Sequence, residues 1–382
     1  MTEVERISDL NEIVFPRLGF HFNIDPTAFT IGGFAIQWYG IIITLGLLLA
    51  VVYCVPRMKR FGLDPDRAID VVIGGVIGGI VGARVYYVIW KWDEYSGNIK
   101  EIFNTRNGGL AIYGGLIGAV LVGLLICKIR RVKMLPMLDI AVIGFLIGQG
   151  IGRWGNFVNQ EAFGTNTGNI FGMTGGRIQQ TIINSSAYLD GEMYLKGIEI
   201  SENYPVHPCF LYESAWCLLG FVLLAFWSKR RKYDGQLFLM YMTWYGAERF
   251  FVEGLRTDSL MLGSIRVSQL LSAILVIVSV IMQIVMLSRR KRDPESYVLY
   301  ANTAEARQLL EESRLKHNGM NDDGGADSDD EIGILPDEPE DGEESAPDSK
   351  VQPEAEEKPE AAEEPAEKNA AEEPESTGDT EE

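Results

Sequence analysis

Residues 152–164 read Gly-Arg-Trp-Gly-Asn-Phe-Val-Asn-Gln-Glu-Ala-Phe-Gly, which sets one guanidinium (Arg153), two amides (Asn156, Asn159) and one carboxylate (Glu161) among glycines and aromatics. They follow an apolar run, residues 135–151, that at ~1.5 Å per residue crosses most of a ~30 Å hydrocarbon core. Polar groups this dense at an apolar helix end need partners, because an unpaired one in a low-dielectric setting costs ~2–7 kcal/mol. A bound polar headgroup would supply them. Mutual pairing that anchors a loop at the membrane interface would do so as well.

Arg249 and Glu253 lie four apart in a later apolar run, a spacing that lets them pair on one helix face. Such a pair either neutralises itself so that burial is tolerable, or leaves Glu253 orienting Arg249 toward a phosphate, which a guanidinium binds in bidentate fashion. Charged groups inside a membrane span are costly enough that function is the default expectation. Of the three histidines, His21 and His317 lie far from the polar cluster and His207 opens a span beside it. The His207-Pro208 pair suits either acid–base work or a capped first helical turn.

No Gly-x-Ser-x-Gly and no His-Glu-x-x-His occurs, so Ser-His-Asp hydrolysis and zinc proteolysis have no support. Cys54, Cys127, Cys209 and Cys217 form no Cys-x-x-Cys pair and mostly fall in apolar runs, where they read as buried small side chains. Nothing calls for a metal, a cofactor or a nucleic acid.

The elements that must position these groups are membrane helices. Seven apolar runs of suitable length, 34–55, 69–90, 108–127, 135–151, 209–228, 236–253 and 266–287, predict an all-α polytopic membrane protein. Four basic clusters, around Arg57, Lys128, Arg230 and Arg290, fall on one side of the alternation, which sets the N-terminus outside and the C-terminus in the cytoplasm. Residues 1–33 lack the pattern of a cleaved signal peptide and form an extracytoplasmic segment. Residues 34–292 form the transmembrane catalytic domain, with an extracytoplasmic insertion at about 156–207 between helices four and five. Residues 293–382 form a cytoplasmic tail.

The net charge of −19 belongs to that tail. About 26 of the 53 acidic residues lie in residues 321–382 against three lysines, so the tail carries about −23 and the rest of the chain about +4. This acidic, aromatic-poor composition predicts disorder from about residue 321 and no chemistry there. In the second span Gly74, Gly75, Gly78, Gly79 and Gly82 form a small-residue ladder for close helix packing, and no phosphate loop follows it. Arg84, near the outer end of that span, either snorkels to the headgroups or faces the bundle interior.

This topology brings Tyr39, Tyr113, the segment from Arg153 to Glu161, His207, Arg249 and Glu253 to one level, the outer end of the bundle. Residues 152–164 resemble the signature of the prolipoprotein diacylglyceryl transferases. The resemblance extends to Trp38-Tyr39-Gly40, Gly108-Gly-Leu-Ala-Ile-Tyr-Gly-Gly-Leu116, His207-Pro-Cys-Phe-Leu-Tyr-Glu213 and Tyr245-Gly-Ala-Glu-Arg-Phe-Phe-Val-Glu253, and covers roughly residues 30–290. It implies an enzyme of the bacterial cytoplasmic membrane whose site faces outward. That enzyme would transfer the diacylglyceryl group of phosphatidylglycerol to the thiol of a prolipoprotein lipobox cysteine, form a thioether and release glycerol phosphate.

By position, Tyr39, Arg153, Asn156, Asn159, Glu161, Gly164, Arg249 and Glu253 fall on the family's lipid-binding and catalytic residues. Tyr113 stands where many members have a histidine, so a histidine base at that position is excluded. The chemistry fits the residues independently: a thiol with a reference pKa of ~8.5 must lose its proton while a phosphate ester departs. Arg153 and Arg249 would stabilise the phosphate, Asn156 and Asn159 would hold the glycerol headgroup, and Tyr39 and Tyr113 would hydrogen-bond or relay protons. Glu161, Glu253 and His207 remain open as the base. The competing reading is a membrane lipid or solute transporter, which would more often show a midplane site and internal repeats.

Overall fold

Apolar segments of membrane length fold as helices because lipid offers their backbone amides no other partner. The computed structural model describes residues 3–97, 99–104, 108–188, 200–257, 261–262 and 265–322. Among these, six helical stretches are long and apolar enough to cross a bilayer: Trp38–Phe61, Pro65–Trp90, Ile112–Arg130, Met134–Asn159, Cys209–Arg230 and Val267–Arg292. The protein is a polytopic, mostly helical membrane protein.

The α-helices in chain order are α1 (Trp38–Cys54), α2 (Pro65–Trp90), the short α3 (Trp92–Tyr95) and α4 (Ile99–Phe103), α5 (Ile112–Arg130) and α6 (Met134–Asn159). They continue with α7 (Gly176–Tyr188), α8 (Cys209–Trp227), α9 (Gln236–Leu255), α10 (Val267–Arg292) and α11 (Ala304–Asp322). The expected sixth span corresponds to α9, which is absent from the six because it carries Glu248, Arg249 and Glu253. It packs against α6, α8 and α10, and both Glu248 and Glu253 are buried.

The bundle proper runs α1 on α6, α6 on α8 and α9, and α9 on α10. Helices α2 and α5 pair chiefly with each other and meet the rest through the turn Val55–Phe61, through α11 and through a shared core that holds Ala68, Val71 and Cys127. The glycine ladder explains the closeness of that pair. A Cβ added at Gly78 would lie 2.6 Å from Val122 Cβ and 2.7 Å from Gly118 O, which no side chain could occupy without parting the helices.

Arg84 faces inward rather than snorkelling. Its guanidinium is buried and donates to the carbonyls of Glu101 (2.6 Å), Ile102 (2.8 Å), Gly108 (3.2 Å) and Gly109 (2.9 Å), closing the loop between α2 and α5. Its charge thus serves the backbone of its own hairpin. At the opposite end Asp139, fully buried on α6, accepts the N–H groups of Gly235 (2.8 Å) and Phe238 (2.9 Å). It therefore caps α9 from a neighbouring helix and satisfies two amides that the helix start leaves unpaired.

Outside the helices the chain builds small antiparallel sheets. Strand β1 (Glu12–Phe15) lies between β2 (Phe20–Asn23) and β5 (Thr174–Gly175), with Ile13 opposite both Phe22 and Gly175. Strands β3 (Thr27–Ile31) and β4 (Phe34–Gln37) form a hairpin that leads into α1, so helix starts at Trp38 where sequence had placed it at residue 34. The N-terminal segment and the insertion share one core, in which Ile13, Phe15, Phe157, Phe163, Met173 and Phe210 are buried.

After α10 the chain folds back on the basic ends of the helices. Tyr300 N–H donates to Asp234 (2.7 Å), Lys133 pairs with Glu305 (3.0 Å) and Ser313 Oγ donates to Asp64 (2.9 Å). Tyr300 and Ala306 join the core that holds Met58, Phe61 and Leu63. Truncation after Asp322 is therefore expected to leave stability unchanged, whereas truncation after Arg292 uncovers that core. Exposing about one large side chain costs about 2 kcal/mol, so a melt in detergent should show Tm lower by about 4–8 °C. The expected disordered region lies in large part beyond Asp322, outside the described residues.

Candidate active site

Helix α6 delivers Arg153, Asn156 and Asn159 on successive turns and then stops. Gln160 (φ 56°) and Ala162 (φ 57°) both take left-handed backbone, which non-glycine residues adopt at a cost of about 1–3 kcal/mol. Buried Gln160 stabilises the turn: its amide donates to Leu10 O (2.7 Å) and accepts from Arg177 N–H (3.0 Å). The strained turn folds Glu161 back over the helix end. There its Oε1 accepts from Asn156 Nδ2 (2.9 Å) and Asn159 Nδ2 (3.3 Å). Tyr39 reaches the same place from α1, its ring laid on the bare backbone at Gly155, where a Cβ would overlap it. Arg153 and Glu161 are near enough to act on the Tyr39 hydroxyl electrostatically.

A carboxylate that sequence analysis did not single out joins the two arginines. Glu213, wholly buried near the start of α8, has its Oε1 3.0 Å from Arg153 Nη2 and 3.4 Å from Arg249 Nη1. The other guanidinium nitrogen of Arg249 pairs with Glu253. The resulting chain Arg153–Glu213–Arg249–Glu253 links α6, α8 and α9. The signal was present, since a glutamate one turn into an apolar helix is itself a functional flag.

The surroundings are held by hydrogen bonds. Trp154 Nε1 donates to Ser214 Oγ (3.1 Å), which donates to Gly150 O (2.7 Å). Trp216 and Trp244 stack at 4.5 Å, and each donates its ring N–H to the other's carbonyl (3.2 and 3.1 Å). Arg266 Nη1 donates to Glu253 O (2.6 Å) and fixes the C-terminal end of α9.

His207 and Gly164 meet each other just before α8 begins. Gly164 N–H donates to His207 O (3.0 Å), and Gly164 bridges Arg256. The His207 ring meets Tyr212 OH at 3.2 Å, and burial holds its pKa below the ordinary value. Tyr113 is 65% exposed on α5, a helix that packs against α2.

From Arg153, Asn156 and Tyr39 an open groove of about 620 Å³ runs between α1, α6 and the inner part of α2 as far as Met58 and Met137. Apart from its polar end, where Gln149 joins Asn156 and Arg153, it is lined by glycine and apolar side chains, Phe145, Met58 and Met137 among them. On α1 alone the distance from Tyr39 to Cys54 is about 22 Å at ~1.5 Å per residue. The groove is thus amphiphilic along its length, with two amides and a guanidinium above and hydrocarbon below. Among the described residues no group of acidic, histidine and cysteine side chains is arranged to hold a metal ion.

The model of the family described as prolipoprotein diacylglyceryl transferase matches residues 26–285. Proteins named phosphatidylglycerol–prolipoprotein diacylglyceryl transferase are among the relatives. One from Bacillus cereus (strain G9842) is 44% identical over 274 residues, 72% of this chain and 95% of its own length. One from Bacillus anthracis (strain CDC 684 / NRRL 3495) is 45% identical over the same shares. One from Finegoldia magna is 45% identical over 262 residues, 68% of this chain and 95% of the relative.

Proposed function

The chain belongs to the prolipoprotein diacylglyceryl transferase family, and from that premise we propose how its residues perform the transfer. The protein moves the diacylglyceryl group of phosphatidylglycerol to prolipoproteins. The observation that carries the assignment to this site is the amphiphilic groove, whose polar end meets Arg153, Asn156 and Tyr39. A phospholipid has that shape and polarity.

In this reading the acyl chains occupy the groove and the phosphodiester lies against Arg153 and Arg249. Asn156 and Asn159, held by Glu161, donate to the glycerol headgroup. The lipobox cysteine of the prolipoprotein approaches from the extracytoplasmic face, and its thiolate attacks the glyceryl carbon. The C–O bond to phosphate breaks, its electron pair leaves on the phosphate oxygen, and the arginines stabilise that developing charge. The products are the thioether and glycerol phosphate. Tyr39 hydrogen-bonds to the headgroup.

The test uses purified protein in detergent with phosphatidylglycerol and a lipobox peptide, followed by peptide mass. The expected result is a gain of one diacylglyceryl group, absent when the peptide cysteine is serine and lost in Arg153→Ala. Folded protein that binds the lipid without changing the peptide mass would overturn the assignment in favour of lipid transport.

A further inference from the structure

Two positive charges and two negative ones already neutralise each other in the cluster before any lipid arrives. Arg249 pairs with Glu253, and Glu213 pairs with both arginines. A phosphodiester that draws both guanidinium groups to itself competes with these carboxylates for them. Glu253 is the less yielding of the two. It shares a helix with Arg249 at four residues' spacing, and Arg266 holds its backbone carbonyl. Glu213 touches the arginines through a single oxygen, the longer contact being 3.4 Å. Its second oxygen, Oε2, is buried without a hydrogen-bond partner among the described residues.

A displaced Glu213 would stand in an unusual setting. It is wholly inaccessible to water, and its other ionisable neighbours among the described residues include Cys217 on its own helix and Tyr245 and Glu248 on α9. None of these is a cation. Glu248 is itself buried, with the Cys217 sulfur at 3.6–3.7 Å. Released from its arginines, the Glu213 carboxylate would face a second acid and no cation among these neighbours, so a proton is the counter-charge left to it. Glu161 and His207 compete poorly for this task, since Glu161 is occupied by two amides and His207 faces Tyr212.

We propose that Glu213 is the general base for the thiol, switched on when the phosphate of the bound lipid displaces it from Arg153 and Arg249. The inference rests on the transferase reading above. In the step, the thiol S–H proton passes to Glu213, the sulfur forms its bond to the glyceryl carbon, and the C–O bond to phosphate breaks. Departing glycerol phosphate carries a new negative charge on the oxygen released. It takes the proton from Glu213 as it leaves, and the carboxylate returns to the arginines. Deprotonation is thereby coupled to occupancy of the lipid site.

The experiment compares cysteine and selenocysteine lipobox peptides with wild-type protein and with Glu213→Gln, at neutral pH and saturating phosphatidylglycerol. A selenol is already ionised there and needs no base. Glu213→Gln is expected to lose about 10²–10⁴-fold in kcat on the cysteine peptide, the usual worth of a positioned base, and to stay within about 5-fold of wild type on the selenocysteine peptide. Equal losses on both peptides would overturn the proposal and leave Glu213 as a positioning residue for the arginines. If Glu213→Gln fails to fold, the same comparison is read on Glu213→Asp, whose shorter carboxyl predicts a smaller loss confined to the cysteine peptide. Failure of wild-type protein to lipidate either peptide would instead overturn the transferase reading itself.

Discussion

Arg249→Lys is expected to lower kcat by about 10²–10³-fold, the loss usual when a donor to a developing negative charge is removed. The reason lies in how the guanidinium is used. One nitrogen faces Glu213 on α8 and the other Glu253 on its own helix, so the planar fork spans two carboxylates at once. An ammonium is a point charge and cannot hold both directions. Arg153 presents one nitrogen, Nη2, to Glu213 at 3.0 Å, so Arg153→Lys should lose less than Arg249→Lys even though both keep the charge. Steady-state rates in mixed micelles measure the difference. Near-normal turnover in Arg249→Lys, within about 5-fold of wild type, would exclude a bidentate role for it.

The elements legible in the sequence were those whose physics is local. A hydrocarbon core demands helices of fixed length, so the six long apolar helices follow from apolar runs alone. The glycine ladder of α2 was equally readable, because small residues on one helix face have one common use in a membrane. Helix α9 was legible by length although three of its residues are charged. What makes those charges tolerable, the enclosure by α6, α8 and α10, appears only with the packing.

The remainder depended on contacts between distant segments. Strand β1 is four residues long and its partner β5 lies some 160 positions later, so no local pattern announces their pairing. Glu213 and Asp139 were each a single acid in an apolar run, and their partners sit on other helices. The arginines and the Asn–Asn–Glu group could be named from the sequence because they are dense and local. Tyr113 was placed with the cluster from its level in the membrane, and level does not fix azimuth; the packing adds that its helix lies on α2.

Gly164→Ala is expected to be nearly as damaging as loss of an arginine, although Gly164 carries no functional group. An added Cβ would lie 2.8 Å from His207 Cβ, 2.9 Å from Leu255 O and 3.1 Å from Cys209 Sγ. Two of these neighbours are backbone or close to it and cannot rotate away. Gly164 is where the segment after the strained turn crosses both the start of α8 and the end of α9, through its bonds to His207 and its bridge to Arg256. Overpacking there costs about 1–3 kcal/mol. The more telling effect is geometric: Leu255 is two residues from Glu253, and moving the end of α9 shifts the Glu253–Arg249 pair. A displacement of about 1 Å at a reacting centre costs on the order of 10²-fold in rate. Gly123→Ala is the matched control, since a Cβ on that face of α5 meets nothing within 4 Å, and it should leave turnover unchanged without lowering Tm. If Gly164→Ala lowers Tm while turnover per folded molecule is retained, the crossing supports the fold alone. A loss of turnover in protein that remains folded would mean that this crossing sets the spacing between Arg249 and the lipid.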